Sequence, residues 1–291
     1  MSLIFIVGQH RTGSTLLKNI LDANSEVVMA FDEMNLFEPL RRNTFDRFFD
    51  KSNGVSSEEI IDLIDKKKIY GTFWKEFRQS GIKLDELKEV LDQDTSELHS
   101  SNVIKSILGL LRKKNNAKIP GIKYPVHFRR LDYLFEHWPD AKVIFLTRNP
   151  KAIVASKLND KATQERKGKS FLHKFLVHYF TVLYFSIEYI FSIRTYFRYA
   201  SNLKLMTYDQ LVLNTDETIK GLCRWCNLEF EDTMLEVTGK SSSHNSISKK
   251  GLHTQSIDKY KSVLNSFDSF LISLLTYRYY TKIKNELGSN F

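Results

Sequence analysis

The segment just after the amino terminus combines residues that could bind a phosphate group. An apolar run at residues 3–7 precedes the loop G-Q-H-R-T-G-S-T at 8–15, and a helical pattern follows at 16–21. A loop of this kind directs backbone N–H groups and a helix N-terminus toward an anion, and Ser14 and Thr15 add hydroxyl donors. The sequence therefore predicts a phosphate site on a strand–loop–helix unit.

One position of this loop departs from the nucleotide P-loop. Gly8 and Gly13 have the spacing of the pattern G-x-x-x-x-G-K-[ST], but Ser14 occupies the place of the lysine and Arg11 lies inside the loop. The missing lysine is the one that reaches the β- and γ-phosphates of a triphosphate. The loop therefore favours another phosphorylated donor, and a kinase or nucleotide hydrolase is the enzymatic alternative.

A second candidate anion site follows the apolar run at 142–146. The stretch T-R-N-P-K-A-I-V-A-S-K at 147–157 separates Arg148 from Ser156 by two helical turns. The arginine offers a planar fork to a phosphate monoester, and the serine presents its hydroxyl on the same side. Taken alone, an R-N-P turn is also typical of the capped start of a helix.

Together the two segments resemble those of sulfotransferases that use 3′-phosphoadenosine 5′-phosphosulfate (PAPS). R-T-G-S-T-L at 11–16 resembles the family's 5′-phosphosulfate segment, and the stretch at 147–157 resembles its 3′-phosphate segment. Y-D-Q-L at 208–211 is similar to the family's Y-E-D-L, with Gln210 departing from it, and K-K-G at 249–251 is similar to its R-K-G element. The resemblance implies that the cofactor-binding residues are Arg11, Thr12, Gly13, Ser14, Thr15, Leu16, Arg148, Ser156, Tyr208, Lys249, Lys250 and Gly251.

The resemblance also implies which groups act on the sulfuryl group and on the acceptor. Lys123 resembles the lysine that touches the bridging oxygen or the sulfuryl group, and Arg11 would serve the 5′ side. Glu33 is the first candidate for the general base, Asp32 the second and His127 the third, whereas helix capping is the alternative for the acidic pair. The implied reaction is a metal-independent in-line transfer to a hydroxyl or amine of a small-molecule or sugar acceptor.

The order of apolar runs predicts an α/β fold. Each strand-like run is followed by helical periodicity, which is typical of a parallel sheet covered on both faces. The runs lie at 3–7, 119–123, 142–147 and 203–206. We expect a P-loop-like central parallel sheet flanked by helices, with a helical insertion at about 35–115, in a single sulfotransferase domain over 1–291.

The net charge limits the kinds of partner, and the length of the first apolar run bears on the cellular location. The 291 residues carry a formal charge of +9, which suits nucleic acid, an acidic membrane surface or a bisphosphorylated nucleotide. The aromatic residues cluster in apolar helices instead of alternating with basic ones, so we expect no nucleic-acid partner. The run at 3–7 is too short for a signal peptide, and we expect a cytoplasmic protein.

The most apolar segment, residues 171–197, raises the question of a transmembrane helix. Its longest stretch without Asp, Glu, Lys or Arg, residues 175–187, is 13 residues long, whereas a span needs about 20. We therefore expect a buried or half-buried helix and no transmembrane segment, with a membrane-surface helix as the alternative. Cys223 and Cys226 cannot make a four-ligand zinc site, and we expect them to be reduced residues of a packed helix.

Overall fold

The computed structural model describes residues 2–30, 55–65, 77, 79–94, 98–166, 168, 170–236 and 255–288. Its centre is a five-stranded parallel sheet in the order β2-β3-β1-β4-β5. The strands are β1 (Ile4–Gly8), β2 (Val27–Met29), β3 (Ile119–Lys123), β4 (Lys142–Thr147) and β5 (Leu203–Thr207). The α/β prediction is confirmed.

Helices surround this sheet, and the described part of the chain also contains four 3₁₀ turns. The helices are α1 (Ser14–Asp22), α2 (Ser57–Asp65), α3 (Leu84–Asp92), α4 (Ser100–Lys114), α5 (Leu131–His137), α6 (Pro150–Leu158), α7 (Lys161–Arg166), α8 (Phe171–Arg198), α9 (Tyr208–Leu213), α10 (Thr215–Cys226), α11 (Gln255–Asp258) and α12 (Ser266–Gly288). The 3₁₀ turns are Pro125–Arg130, Ala200–Asn202, Asp232–Met234 and Lys259–Ser262.

Both faces of the sheet are buried, as the near-continuous apolar strands require. Along β1, Phe5 and Val7 belong to the core cluster that α8 covers, whereas Ile4 and Ile6 belong to the cluster that α1 and α10 cover. Cys223 and Cys226 are buried, unbonded thiols in α10 and pack in this second cluster, as the sequence predicted.

The described part of the predicted insertion is helical. Helices α2, α3 and α4 follow β2 in sequence and pack in succession against one another. Their buried side chains, such as Ile60, Leu87 and Ile104, join the same core cluster as Phe5. The extent of the single domain over 1–291 stays a prediction.

Helix α8 is half-buried. It packs on α6 and α12, and its inner face buries Val182, Tyr189 and Ile193. Within the described residues it is the one helix long and apolar enough to cross a membrane, and 44% of its most apolar window is buried. A helix that contributes this face to the core agrees with the prediction of a half-buried helix.

The parallel register brings the carboxyl ends of four strands to one edge. Gly8 lies opposite Leu146, and Thr147 lies opposite Thr207. The loop after β1, the turn after β4 and the start of α9 therefore leave the sheet side by side. This edge is where ligands bind in open parallel sheets.

Candidate functional site

The loop after β1 has positive φ angles at Gly8 and Gly13, which glycine adopts readily. Gly8 has φ 138°, and a side chain there would collide with the carbonyl oxygen of Leu146. Gly13 has φ 93° at the N-cap of α1, and a Cβ there would come within 2.8 Å of the Tyr208 ring. The loop therefore runs in contact with β4 on one side and with Tyr208 on the other.

The predicted residues of the loop and of the start of α1 are buried or half-buried. The buried hydroxyl of Thr12 donates to the Gln9 carbonyl at 2.9 Å, so it holds the loop together. Ser14 opens α1 and is nearly buried, Thr15 is half-buried, and Leu16 packs against the second core cluster. The start of α1 thus directs its N–H groups toward the loop.

Arg11 joins the loop to α6. Its Nε donates to Ser156 Oγ at 3.0 Å, and its Nη1 lies 4.0 Å from Asp160 Oδ1. Asn149 accepts a hydrogen bond from Lys151 N at 3.0 Å, so the R-N-P turn also caps α6. The capping interpretation of that turn is confirmed, and the cap fixes the helix that carries Ser156, whereas phosphate binding by this segment stays a prediction.

Arg148 lies between the loop and α9. Its guanidinium donates to the Arg11 carbonyl at 3.4 Å and to the Ser256 carbonyl at 2.6 Å, and its central carbon is 4.1 Å from the Tyr208 ring centroid. The Tyr208 hydroxyl lies 2.6 Å from Ser256 Oγ. The structure thus brings together Arg11, Gly13, Arg148 and Tyr208, with Ser156 bonded to Arg11.

The charge of Arg148 has no carboxylate partner within salt-bridge distance in the part of the chain that the structure describes. Its Nε is buried and lacks a hydrogen bond there, and burial lowers the pKa of its guanidinium. An arginine stays protonated at neutral pH despite this shift. The arrangement can therefore accept an anion next to the loop.

Most of the chain carries the sequence signature of a known protein family. The sequence profile of the sulfotransferase family matches residues 3–232. The chain belongs to the sulfotransferase family. No curated protein sequence matches the chain significantly.

Solved structures of sulfotransferases share this fold. The sulfotransferase domain of the curacin biosynthetic pathway is 18% identical at a TM-score of 0.55, covering 94% of this chain and 96% of that one. The sulfotransferase domain of the Synechococcus PCC 7002 olefin synthase is 14% identical at 0.56, covering 94% and 93%. Sulfotransferase STF9 of Mycobacterium avium is 13% identical at 0.50, covering 96% and 76%.

Two further predicted residues of this sulfotransferase lie at the end of β3 and just after it. Lys123 ends that strand opposite Ile6, at the same edge as the loop, and its side chain is 8% exposed. His127 lies in the next 3₁₀ turn and is fully buried, with its ring 4.9 Å from that of Tyr124. Burial lowers the pKa of His127 to about 3, so the enclosed imidazole is neutral at pH 7. The role of His127 as the general base stays a prediction. Its burial and low pKa make it a weaker base, so Glu33 and Asp32 remain ahead of it as candidates.

A buried polar network supports the loop from behind, and the sequence analysis missed it. Gln9 Nε2 donates to the Phe185 carbonyl at 2.8 Å and to Glu188 at 3.1 Å. Arg129 donates to the other oxygen of Glu188 at 2.6 Å. The available signal was Glu188 itself, the single acidic residue in the apolar sequence of α8.

Tyr208 owes its position to a helix cap. The Thr207 hydroxyl accepts from Gln210 N at 3.2 Å, and Gln210 Oε1 accepts from Thr207 N at 3.0 Å. This capping box is built by the glutamine that departs from the family's Y-E-D-L pattern. It starts α9 at Tyr208 and directs that ring toward Gly13 and Arg148.

Several predicted residues lie outside the described residues: Asp32, Glu33, Lys249, Lys250 and Gly251.

A cavity of about 330 Å³ adjoins Arg148 and is also lined by Thr147, Tyr189, Asp209 and Tyr280. Among the residues that the structure describes, no cluster of three His, Cys, Asp or Glu side chains has the arrangement of a metal site.

Proposed function

We propose that this sulfotransferase moves the sulfuryl group of PAPS to a hydroxyl or amine of a small-molecule or carbohydrate acceptor. The observation that carries the proposal is the contact between the two anion-binding segments. Arg11 bonds to Ser156, and Arg148 bonds to the carbonyl of Arg11. One ligand with a phosphate at each end of an adenosine matches two adjoining sites better than a simple nucleotide does.

The residues divide between the two ends of such a donor. The start of α1 and Arg11 would hold the 5′-phosphosulfate, because N–H groups at a helix start and a guanidinium both bind oxyanions. Arg148 and Ser156 would hold the 3′-phosphate, with Tyr208 beside the adenosine. Lys249, Lys250 and Gly251 are part of the proposal through the family pattern alone.

Transfer requires charge stabilisation and proton removal. Lys123 ends β3 at the same edge, and a lysine there would follow negative charge as it moves to the leaving bisphosphate, a role worth about 2–4 kcal/mol. We assign the general base to Glu33, with Asp32 and then His127 as alternatives. A small-molecule acceptor, no nucleic-acid partner and a cytoplasmic location complete the proposal.

The donor is tested by binding. Arg148→Ala should weaken the affinity for 3′-phosphoadenosine 5′-phosphate (PAP) about 10- to 100-fold, because charge-assisted hydrogen bonds to the phosphate are lost. Isothermal calorimetry would measure this, with Arg224→Ala, an exposed arginine of α10, as the matched control. Unchanged PAP affinity in Arg148→Ala would contradict the assignment.

The reaction and its base are tested by turnover. The protein is incubated with PAPS and a panel of acceptors, and mass spectrometry follows the gain of one sulfuryl group. Glu33→Gln should retain PAP binding and lose about 10²- to 10⁴-fold in rate, since general-base catalysis contributes that much. Full turnover in Glu33→Gln would transfer the role to Asp32 or His127.

A further inference from the structure

Helices α8 and α12 expose a row of large apolar side chains, which we call the apolar face. The two helices pack side by side, with His178 bonded to Asp268 and the Tyr179 ring 5.8 Å from that of Phe267. The members of the apolar face are Phe171, Leu172, Phe175, Leu176, Phe180, Leu183, Tyr184, Ile187 and Phe191 of α8, and Phe267, Phe270, Leu274 and Tyr277 of α12.

The apolar face is concentrated instead of scattered. Among the described residues, every strongly exposed large apolar side chain except Leu213 belongs to it. On α8 the members recur every three or four residues, so they share one side of a helix about 42 Å long. Single exposed apolar side chains are ordinary, but a contiguous patch marks a surface that binds something.

The exposed charges on the two helices themselves are of one sign. Over the described length of both helices, the exposed charged side chains are Lys174, Arg194, Arg198, Arg278, Lys282 and Lys284. The acidic residues are withdrawn from solvent: Glu188 is buried against Arg129, Asp268 is buried against His178, and Glu286 is half-buried near Tyr196. Within these two helices, the exposed charged side chains beside the apolar face are therefore all basic, whereas Asp132 of α5 is an exposed carboxylate near Arg194 and Arg198.

We infer that the apolar face binds the surface of a membrane that contains anionic lipids. Aromatic and aliphatic side chains with Lys and Arg beside them are the composition of helices that lie in the interfacial plane. The basic rim complements the negative charge of such a surface.

The same helix lies on the membrane and does not cross it. Its opposite face is fixed in the core through Glu188, which bonds to both Arg129 and Gln9. Insertion across a bilayer would expose this carboxylate and break those bonds, which is costly. Because Gln9 belongs to the loop after β1, the membrane-bound helix also supports the candidate site directly.

Co-sedimentation of the full chain with lipid vesicles tests the inference. We expect binding to vesicles of phosphatidylcholine with phosphatidylserine, less binding to phosphatidylcholine alone, and weakening as salt is raised. The double variant Phe180→Ser/Ile187→Ser should reduce the partition coefficient at least about tenfold, because two apolar groups no longer enter the interface. Leu213→Ser removes an exposed apolar side chain elsewhere and should leave binding unchanged.

A charge variant separates the two contributions. Lys174→Glu/Arg278→Glu should remove most of the preference for phosphatidylserine while both helices keep their apolar side chains. Circular dichroism melts would verify that each variant folds, which is expected because all four positions are exposed. The inference is overturned if wild type does not bind anionic vesicles, or if Phe180→Ser/Ile187→Ser binds like wild type. If wild type does not bind vesicles but forms a dimer, and Phe180→Ser/Ile187→Ser is monomeric, the apolar face binds a second copy of the chain instead.

Discussion

Gly13 shows how a single residue couples the loop to the nucleotide side of the site. Its left-handed backbone disfavours any other residue, and its missing side chain lets the Tyr208 ring lie against the loop. Tyr208 in turn faces the Arg148 guanidinium. A change at residue 13 therefore affects both predicted anion-binding segments at once.

We predict that Gly13→Ala destabilises the protein by at least about 1 kcal/mol, because the new methyl group needs a strained φ and displaces Tyr208. PAP affinity should fall with it. Gly109→Ala is the matched control: Gly109 lies inside α4 with nothing within 4 Å of a Cβ, and alanine there should stabilise by about 0.5–1 kcal/mol. Urea unfolding measures the stability of both variants, and equal effects of the two substitutions would contradict a strained, closely packed Gly13.

His127 makes a prediction about acid stability. Its pKa is about 3 when folded and 6.5 when exposed, so below pH 6.5 the unfolded chain takes up a proton that the folded one does not. Its contribution to stability is therefore present above pH 6.5 and is lost as the pH falls toward 3.

Between pH 7 and pH 5, wild type should lose about 2 kcal/mol more unfolding free energy than His127→Gln, which has no titrating ring. Denaturant titrations of both proteins at the two pH values give this difference, and the effects of the carboxyl groups and the other histidines cancel in it. An equal loss in the two proteins would show that His127 titrates normally in the folded state.

At the scale of elements, the Glu188 network connects three pieces of structure. Gln9 belongs to the loop after β1, Arg129 to the 3₁₀ turn after β3, and Glu188 to α8. The loop that carries Arg11 and the 3₁₀ turn that follows Lys123 are therefore both bonded to the same carboxylate, that of Glu188. Such a buried group positions its neighbours only while all its partners are present.

We predict that Glu188→Ala costs about 3 kcal/mol of unfolding free energy, because it removes the buried carboxylate that accepts from both the Gln9 amide and the Arg129 guanidinium. Asp216→Ala is the control, since its pair with Lys220 is exposed on α10 and should matter by less than about 0.5 kcal/mol. Thermal and urea unfolding would measure both, and a cost for Glu188→Ala as small as the control's would contradict a supporting network.

The sequence predicted elements better than contacts. Apolar runs located β1, β3, β4 and β5 because buried parallel strands are apolar on both faces, whereas the three-residue β2 was not among those runs. The glycine spacing located the loop. Parallel register then brought Arg148 and the loop to one edge. Contacts such as Gln9 with Phe185, 176 residues apart, carry no local pattern. Ser256 was missed for the same reason, because it binds Arg148 through a backbone carbonyl that every residue possesses.

At the scale of the whole molecule, the basic residues behind the charge of +9 include groups on two separate surfaces. Part of it lies at the edge of the sheet in Arg11, Arg148 and Lys123, where a bisphosphorylated nucleotide would neutralise it. Another part lies on α8 and α12 beside the apolar face. Net charge alone could not have separated these uses, because only the fold shows which cations share a surface.

The donor proposal makes a prediction about the stability of the whole chain. PAP at 100 times its dissociation constant should stabilise the folded state by about 2.7 kcal/mol, because it binds only that state, which corresponds to a rise in melting temperature of roughly 4 °C. Adenosine 5′-monophosphate lacks the 3′-phosphate and should raise it less at the same concentration. In Arg148→Ala the difference between the two ligands should shrink, because one charged contact to the 3′-phosphate is gone. Differential scanning fluorimetry measures all four combinations, and a larger response to ATP with Mg²⁺ than to PAP would favour a triphosphate-using enzyme instead.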